Sequence, residues 1–263
     1  MTFNIIGTGN VALFLGKKLT AAGNKCTGVF GRNLKAAEEL SGNLLSNNFG
    51  SISDVNKDAD VCFIAVSDNA ISNVASQISL TKTVLVHTGG AVVIQSIMSA
   101  AKDCAVLWPI YSIQKNNIPS HRNIPCAWEA TTPKAEKYVL AMGHAFSDNL
   151  FEAKGEQRKW LHLAAVMNNN FINHLFTISE EICLENNIPF SVLYPILEQT
   201  FENLKNHSPK TIQTGPAIRR DDTTINEHLA LLQQHPKWQN IYQSISESIQ
   251  FSHQKDKDET KDS

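Results

Sequence analysis

Phe3-Asn4-Ile5-Ile6-Gly7-Thr8-Gly9-Asn10-Val11-Ala12 begins with a short apolar run, passes through glycines and enters a segment of helical spacing. Gly7-x-Gly9-x-x-Ala12 is the spacing of a loop that carries a strand into a helix around a diphosphate. Gly7 permits the tight turn, and Gly9 has no side chain to hold phosphates away from the backbone. Ala12 is small enough for the helix to pack closely on the sheet. Exposed backbone N–H groups at the start of the helix then meet the anion at the positive end of its dipole, with Thr8, Asn10 and Val11 among the cofactor residues. Glycines in turns are common, so the spacing gains its meaning from the strand before it, the helix after it and the βαβ unit around it.

That unit extends outward. Val11–Ala22 reads as a helix, Cys26–Phe30 as a second strand and residues 34–45 as a polar helix. Val61–Val66, Val84–Val86 and Ala105–Leu107 are almost wholly apolar, as strands buried on both faces are. Helices are expected between them near Ile71–Ile78 and Val92–Ala101. Pro125–Glu129 could add a strand, and Thr132-Pro133 supplies a hydroxyl cap and a first-position proline for a helix through Ala145. Short apolar strands alternating with helices predict a doubly wound parallel sheet of the Rossmann kind.

The strand ends carry the chemistry, because ligands of open α/β sheets bind beyond the carboxyl ends of the strands. The second strand ends at Phe30-Gly31-Arg32-Asn33, with no Asp or Glu to accept from a ribose 2′-hydroxyl. Arg32 instead offers a guanidinium suited to a 2′-phosphate, so NADP is expected rather than NAD. Arg32 and Asn33 therefore join the loop as cofactor residues, with Val66-Ser67 and His87-Thr88 at later strand ends. For His87, capping a strand end competes evenly with a place beside the nicotinamide. Gly16-Lys17-Lys18 lacks the spacing of a P-loop and implies no ATPase.

After about Phe151 the character changes to helices. The expected units are an α/β nucleotide-binding domain over 1–152, an all-α substrate or dimerisation domain over 153–254 and a frayed tail over 255–263. Residues 154–187 read as one long helix and Ser191–Asn206 as another, which Pro195 kinks or begins. Two more are expected near Thr224–Gln234 and Pro236–His253. On an uninterrupted helix His162, Asn169 and Asn173 lie within roughly 20° of one line. His162 is the candidate proton donor or acceptor and Asn169 a candidate orienting amide. Thr214–Asp222, with adjacent arginines and aspartates, is either an anion site or, as is more common, an ion-paired loop.

Twenty-three basic against 25 acidic residues give a net charge of −2, which disfavours bulk attraction to nucleic acid or anionic membrane. With 42% hydrophobic and 18% charged residues the chain can bury a large core. No run of about 18 apolar residues predicts a membrane-spanning helix, and the N-terminus lacks signal-peptide character. Five scattered cysteines fit reduced thiols in a cytoplasm. No metal is expected, since no H-E-x-x-H, EF-hand loop or Cys/His quartet occurs.

Taken together, the Gly7/Gly9/Ala12 loop, Ala65-Val66-Ser67-Asp68, His87-Thr88-Gly89, Trp108-Pro109, His162-x-Ala164-Ala165, Asn169-Asn170-Phe171 and Gly215-Pro216-x-x-Arg219-x-Asp221 resemble a family. It is the group of Rossmann-like NADP oxidoreductases, related to the deazaflavin-dependent NADP oxidoreductases, with an uncharacterised helical C-terminal domain. The resemblance spans residues 3–250. It implies a helical half similar to those of 6-phosphogluconate dehydrogenase and pyrroline-5-carboxylate reductase, and often a dimer. β-Hydroxyacid dehydrogenases pair a helical lysine with an asparagine four residues later. Here Ala164, Ala165 and Val166 stand four before Asn168, Asn169 and Asn170, so that acid/base is missing. The expectation is an NADP-dependent reductase of a small carbonyl or imine compound, acting in a cleft between its domains. The alternative is a non-catalytic NADP-binding sensor or dimeric interaction module.

Overall fold

The computed structural model describes residues 1–55 and 57–259. The chain forms two compact units, Met1–Phe171 and Ile172–Ser263.

In the first unit β1 (Thr2–Ile6), α1 (Asn10–Ala21), β2 (Lys25–Phe30), α2 (Leu34–Asn43) and β3 (Asn47–Asn48) make the first βαβαβ half. β4 (Val61–Ile64), α3 (Ile71–Ala75), β5 (Val84–His87) and β6 (Cys104–Pro109) continue it, followed by β7 (Cys126–Ala130), α4 (Pro133–His144) and β8 (Leu150–Glu152). Eight strands join in the order β3-β2-β1-β4-β5-β6-β7-β8. β1 is paired parallel with both β2 and β4, so the strand order reverses there.

Side chains alternate along each strand and fill two apolar layers. Phe3, Ile5, Phe63, Val86 and Leu107 face one layer, which α1 closes with Phe14, Leu15 and Leu19 and α4 with Val139 and Met142. Ile6, Ile64, Leu85, Val106 and Trp108 face the other, closed by Ile71, Ile94 and Ile97. Each such side chain, fully withdrawn from water, contributes about 1.5–3 kcal/mol. Gly16 is fixed by this packing, because a Cβ there would lie 2.5 Å from the Leu44 side chain.

The expected doubly wound sheet is present, with local differences. β7 runs antiparallel to β6, because the 110–125 connection returns the chain to the same end without a crossover helix. The expected helix over Val92–Ala101 contracts to a 3₁₀ turn at Ile94–Ile97. α4 starts as predicted, with Thr132 accepting from the Ala135 N–H at 3.1 Å.

The single helix expected over 154–187 is divided. α5 (Gly155–Ala165) passes into a π-helical turn, Val166–Phe171, before α6 (Ile172–Glu185). Asn168-Asn169-Asn170 sit in that turn, and asparagine competes with the backbone for helical hydrogen bonds. The wider turn breaks the 3.6-residue register that would align His162 with Asn169 and Asn173. The first compact unit thus runs past residue 152, because α5 is anchored to the sheet. Arg158 pairs with Glu129 of β7, and Leu161 packs on the second apolar layer.

The second unit adds α7 (Tyr194–Asn206), α8 (Pro216–Arg219), α9 (Asp222–Leu231) and α10 (Pro236–Glu259). Pro195 marks the start of α7 instead of kinking it. In the Thr214–Asp222 cluster Asp221 caps α9 by accepting from the Thr224 N–H at 3.1 Å, and Arg220 bonds Gln254. Backbone helix continues to Glu259, through the first residues of the segment expected to fray; residues 260–263 lie outside the described residues.

Candidate active site

The turn after β1 has no room for any residue but glycine at its first position. Gly7 has φ +129°, and a Cβ there would lie 2.1 Å from the Ala65 carbonyl oxygen. Its N–H donates to the Phe30 carbonyl at 2.8 Å, so the turn is clamped between the ends of β2 and β4. Gly9 caps α1 with no side-chain hydrogen bond, and no atom lies within 4 Å of where its Cβ would be. The protein leaves that direction open. Ala12 is fully buried. Gly31 makes space for Thr8, whose methyl would meet a Cβ at 2.4 Å.

Beyond the turn lies a cavity of about 690 Å³ over the point where the strand order reverses. Gly7, Thr8, Gly9, Asn10 and Val11 form its floor, and Arg32 and Asn33 stand at the β2 side. Ala65, Val66, Ser67, Ala70, Asn73 and Gln77 make the β4–α3 wall, and Tyr111 and Ile113 close the side after β6. The Asn10 side-chain amide donates to the Ile113 carbonyl at 2.9 Å, joining floor to wall. Ser67 donates to Asn69 Oδ1 at 2.7 Å.

Arg32 is exposed and makes no ion pair or hydrogen bond among the described residues. Asn33 is otherwise engaged: its Oδ1 caps α2 by accepting from the Ala36 N–H at 3.1 Å. An open glycine at a helix N-terminus, a free guanidinium at the end of β2 and a cavity between them fit a dinucleotide with a 2′-phosphate.

His87 and Thr88, expected in the cofactor site, are not on this wall. Both are buried; His87 Nδ1 accepts from the Gly89 N–H at 3.2 Å and Nε2 has no partner among the described residues. Burial, and then the positive charge of Arg158, push the His87 imidazole down to about 3, so it is neutral at pH 7. His87 is a strand-end residue whose ring the fold has covered.

His162 and Asn169 also lie apart from the cavity lining. His162 is half-buried, with its ring tilted 40° against Trp108 at 5.6 Å. Trp108 is held flat by the chain after β5, since a Cβ on Gly90 would touch its ring at 2.4 Å. Asn169 is exposed on the π turn. Among the described residues no group of three or more His, Cys, Asp or Glu could hold a metal ion.

Two features escaped sequence reasoning. Tyr111 lies two residues beyond Trp108-Pro109, where the apolar run had already ended. Arg158 is polar in a sequence that reads as a solvated helix face, yet it is fully buried. Its Nη1 bonds Glu129 and the Ala153 carbonyl, and Nη2 the Val92 carbonyl.

Residues 2–89 match the family described as NADP oxidoreductase, coenzyme F420-dependent, and residues 124–249 match a domain of unknown function, DUF2520. No curated protein sequence matches the chain. Among solved structures, BF3122 of Bacteroides fragilis, a candidate NADP oxidoreductase, is 30% identical with a TM-score of 0.88, over 95% of this chain and 97% of that one. TM1727 of Thermotoga maritima is 21% identical with a TM-score of 0.71, over 97% and 99%. A 1-pyrroline-5-carboxylate reductase from Streptococcus pyogenes is 16% identical with a TM-score of 0.65, over 94% and 98%. The last two share the fold. The first shares the family: the chain belongs to the NADP oxidoreductases that join a nucleotide-binding domain of the coenzyme F420-dependent type to a DUF2520 domain.

Proposed function

We propose that this NADP-dependent oxidoreductase reduces a small carbonyl or imine compound. The observation that carries the cofactor geometry is the pairing of an unengaged Arg32 with the open N-terminus of α1 across one cavity. The N–H groups from Gly9 to Ala12 hold the diphosphate, Thr8 and Asn10 flank it, and Arg32 takes the 2′-phosphate with Asn33 beside it. Val66 and Ser67 border the opposite side. Bound there, NADPH supplies a hydride. A substrate with a polarised C=O or C=N bond accepts it, and the fold shared with a pyrroline carboxylate reductase supports that chemical class.

His162 and Asn169 keep a substrate-side role in this proposal. His162 rests on Trp108 at the C-terminal end of β6, where it can hold a polar group of the substrate. The family resemblance supports a homodimer, as does the second unit's shortage of core. Its buried apolar side chains among the described residues are Ile178, Cys183 and Ala217, whereas Leu184, Ile188, Val192, Tyr194, Ile196 and Phe201 are exposed. Apolar surface on that scale marks an interface. Among the described residues no helix is long and apolar enough to cross a membrane. All five cysteines are free and buried, which supports a reducing cytoplasmic setting.

Titration of NADPH fluorescence, followed by a screen of small aldehydes, ketones and cyclic imines at saturating NADPH, tests the function. Saturable binding with oxidation of NADPH by one of these classes is expected. Binding without turnover of any of them overturns the reductase reading. Light scattering of the purified protein tests the dimer, and a monomer at micromolar concentration refutes it.

A further inference from the structure

Of the described residues that line the cavity, two carry an ionisable side chain: Arg32 and Tyr111. They stand at opposite ends in strand order, Arg32 after β2 and Tyr111 after β6. A dinucleotide lies across the switch point of such a sheet. A 2′-phosphate at Arg32 therefore leaves the redox-active end toward β4 to β6, on the Tyr111 side.

Tyr111 does not stand alone there. Its hydroxyl is hydrogen-bonded to His121 Nε2 at 3.3 Å, and the two rings meet edge to face at 5.6 Å. Both belong to the 110–125 connection, which is tied down along its length. The Ile110 N–H donates to the Pro125 carbonyl at 2.8 Å, Asn10 donates to the Ile113 carbonyl and Lys18 to the Ser120 carbonyl. Next to His121, Arg122 is committed to Asp148 at 2.7 Å and to the His144 and Ala145 carbonyls. The pair is held in place before any ligand arrives, as proton-transfer groups need to be.

We propose that Tyr111 is the catalytic proton donor to the substrate heteroatom, with His121 as the positioning residue that resupplies it. The inference rests on the reductase reading above. When Nε2 of His121 carries a proton it donates to Tyr111 Oη, and the phenolic O–H is left to point into the cavity. As hydride reaches the substrate carbon, the π electron pair of C=O or C=N moves onto the heteroatom, which takes the Tyr111 proton. The phenolate takes a proton from His121 Nε2 as the imidazole gains one at Nδ1 from solvent, which reaches both exposed rings, so the ring ends with the charge it began with. The substrate gains one hydride and one proton, the cofactor is oxidised by two electrons, and no other reactant is required.

The test combines a binding readout with a kinetic one. NADP⁺ titrated into protein carrying ring-labelled tyrosine and histidine is expected to shift the NMR signals of Tyr111 and His121, assigned with Tyr111→Phe and His121→Gln. With the fastest carbonyl or imine substrate of the wild type, Tyr111→Phe is expected to lower kcat by about 10²–10⁴-fold and to keep NADPH affinity within about twofold. His121→Gln, which still has a donor for the hydroxyl, is expected to lose less and to enlarge the solvent deuterium isotope effect on kcat. Ring signals unmoved at saturating NADP⁺, or wild-type turnover by Tyr111→Phe, overturns the inference while an active wild type leaves the reductase reading standing. A wild type that reduces no carbonyl or imine overturns both.

Discussion

Arg158 of α5 is wholly buried and ion-paired with Glu129 of β7, so one guanidinium fastens the first helix after the sheet to the sheet itself. Its Nη1 also reaches the Ala153 carbonyl and its Nη2 the Val92 carbonyl, and the fork geometry that serves three acceptors is particular to arginine. Removing one member of a buried pair leaves the other charged without a partner, which costs about 3–5 kcal/mol. Arg158→Met is expected to destabilise the first unit by that amount in urea unfolding followed by far-ultraviolet circular dichroism. Arg158→Lys restores the charge but not all three contacts and falls between. The double variant Arg158→Met/Glu129→Met recovers part of the loss; a double variant no better than the single would show that the pair is not the source.

The same guanidinium bears on His87, whose imidazole is held at about 3 against an ordinary 6.5, first by burial and then by Arg158. Between those values the unfolded chain binds a proton that the folded chain refuses. Stability therefore falls as pH drops through 6.5, and the loss levels off near 3. Over the interval from 6.5 to 5 the loss amounts to about 2 kcal/mol. His87→Asn keeps an acceptor for the Gly89 N–H and cannot titrate. Its stability relative to the wild type is expected to rise by that amount between pH 7 and pH 5 in parallel urea titrations. A constant difference across the range would refute the buried neutral imidazole.

These two residues also show where the sequence was legible. The β1–Gly7–α1 passage was readable because each step has a local cause: apolar alternation, a positive φ that only glycine accepts easily, and a small residue facing the sheet. Thr132 announced α4 for the same reason, since a cap is a contact three residues long. Arg158 and Tyr111 owe their roles to partners far along the chain, Glu129 and Val92 for one and the whole cavity for the other. Periodicity carries no trace of such contacts. His87 stood evenly between two readings because a histidine at a strand end looks alike whether it faces the crevice or is covered, and in the fold it is buried. The Asn168–Asn170 run did carry a local signal, three poor helix formers in succession, but a helix that long was read through them.

Gly7 and Gly9 separate folding from binding. A Cβ at Gly7 collides with the Ala65 carbonyl in a backbone conformation alanine rarely adopts, so Gly7→Ala is expected to cost about 1–3 kcal/mol of stability. A Cβ at Gly9 meets nothing in the protein, and Gly9→Ala is expected to melt within about 2 °C of the wild type. Its cost falls on the cofactor, whose diphosphate needs the same space, with NADPH affinity falling about tenfold or more. Calorimetric melting and fluorescence titration of both variants check the contrast. A Gly9→Ala protein that binds NADPH normally would remove the diphosphate from this helix end.

His162 lies off the cavity wall and covers one side of Trp108. His162→Ala is therefore expected to leave NADPH affinity within about twofold while lowering turnover by about tenfold or more. Trp108 fluorescence is expected to change as its ring neighbour is lost. Steady-state kinetics alongside NADPH titration distinguish the cases. Weakened cofactor binding would mean that His162 supports the cofactor site through Trp108, and unchanged turnover would remove it from the substrate side.

Arg32 carries the choice between the two dinucleotides. It stands just after β2 with no protein partner among the described residues, and no acidic side chain among them lines the cavity to hold a ribose 2′-hydroxyl. A charge-assisted hydrogen bond to phosphate contributes about 1.5–3 kcal/mol, so Arg32→Ala is expected to weaken NADPH binding by about 10- to 150-fold. NADH lacks the 2′-phosphate, and its affinity should change by less than about twofold. The charge contribution is screened by salt, so the wild-type preference for NADPH narrows as ionic strength rises and that of the variant does not. Parallel titrations with both reduced dinucleotides at low and high salt measure all four quantities. Equal losses for NADPH and NADH would mean that Arg32 shapes the cavity without reading the phosphate, and the specificity would then have to come from elsewhere on its wall.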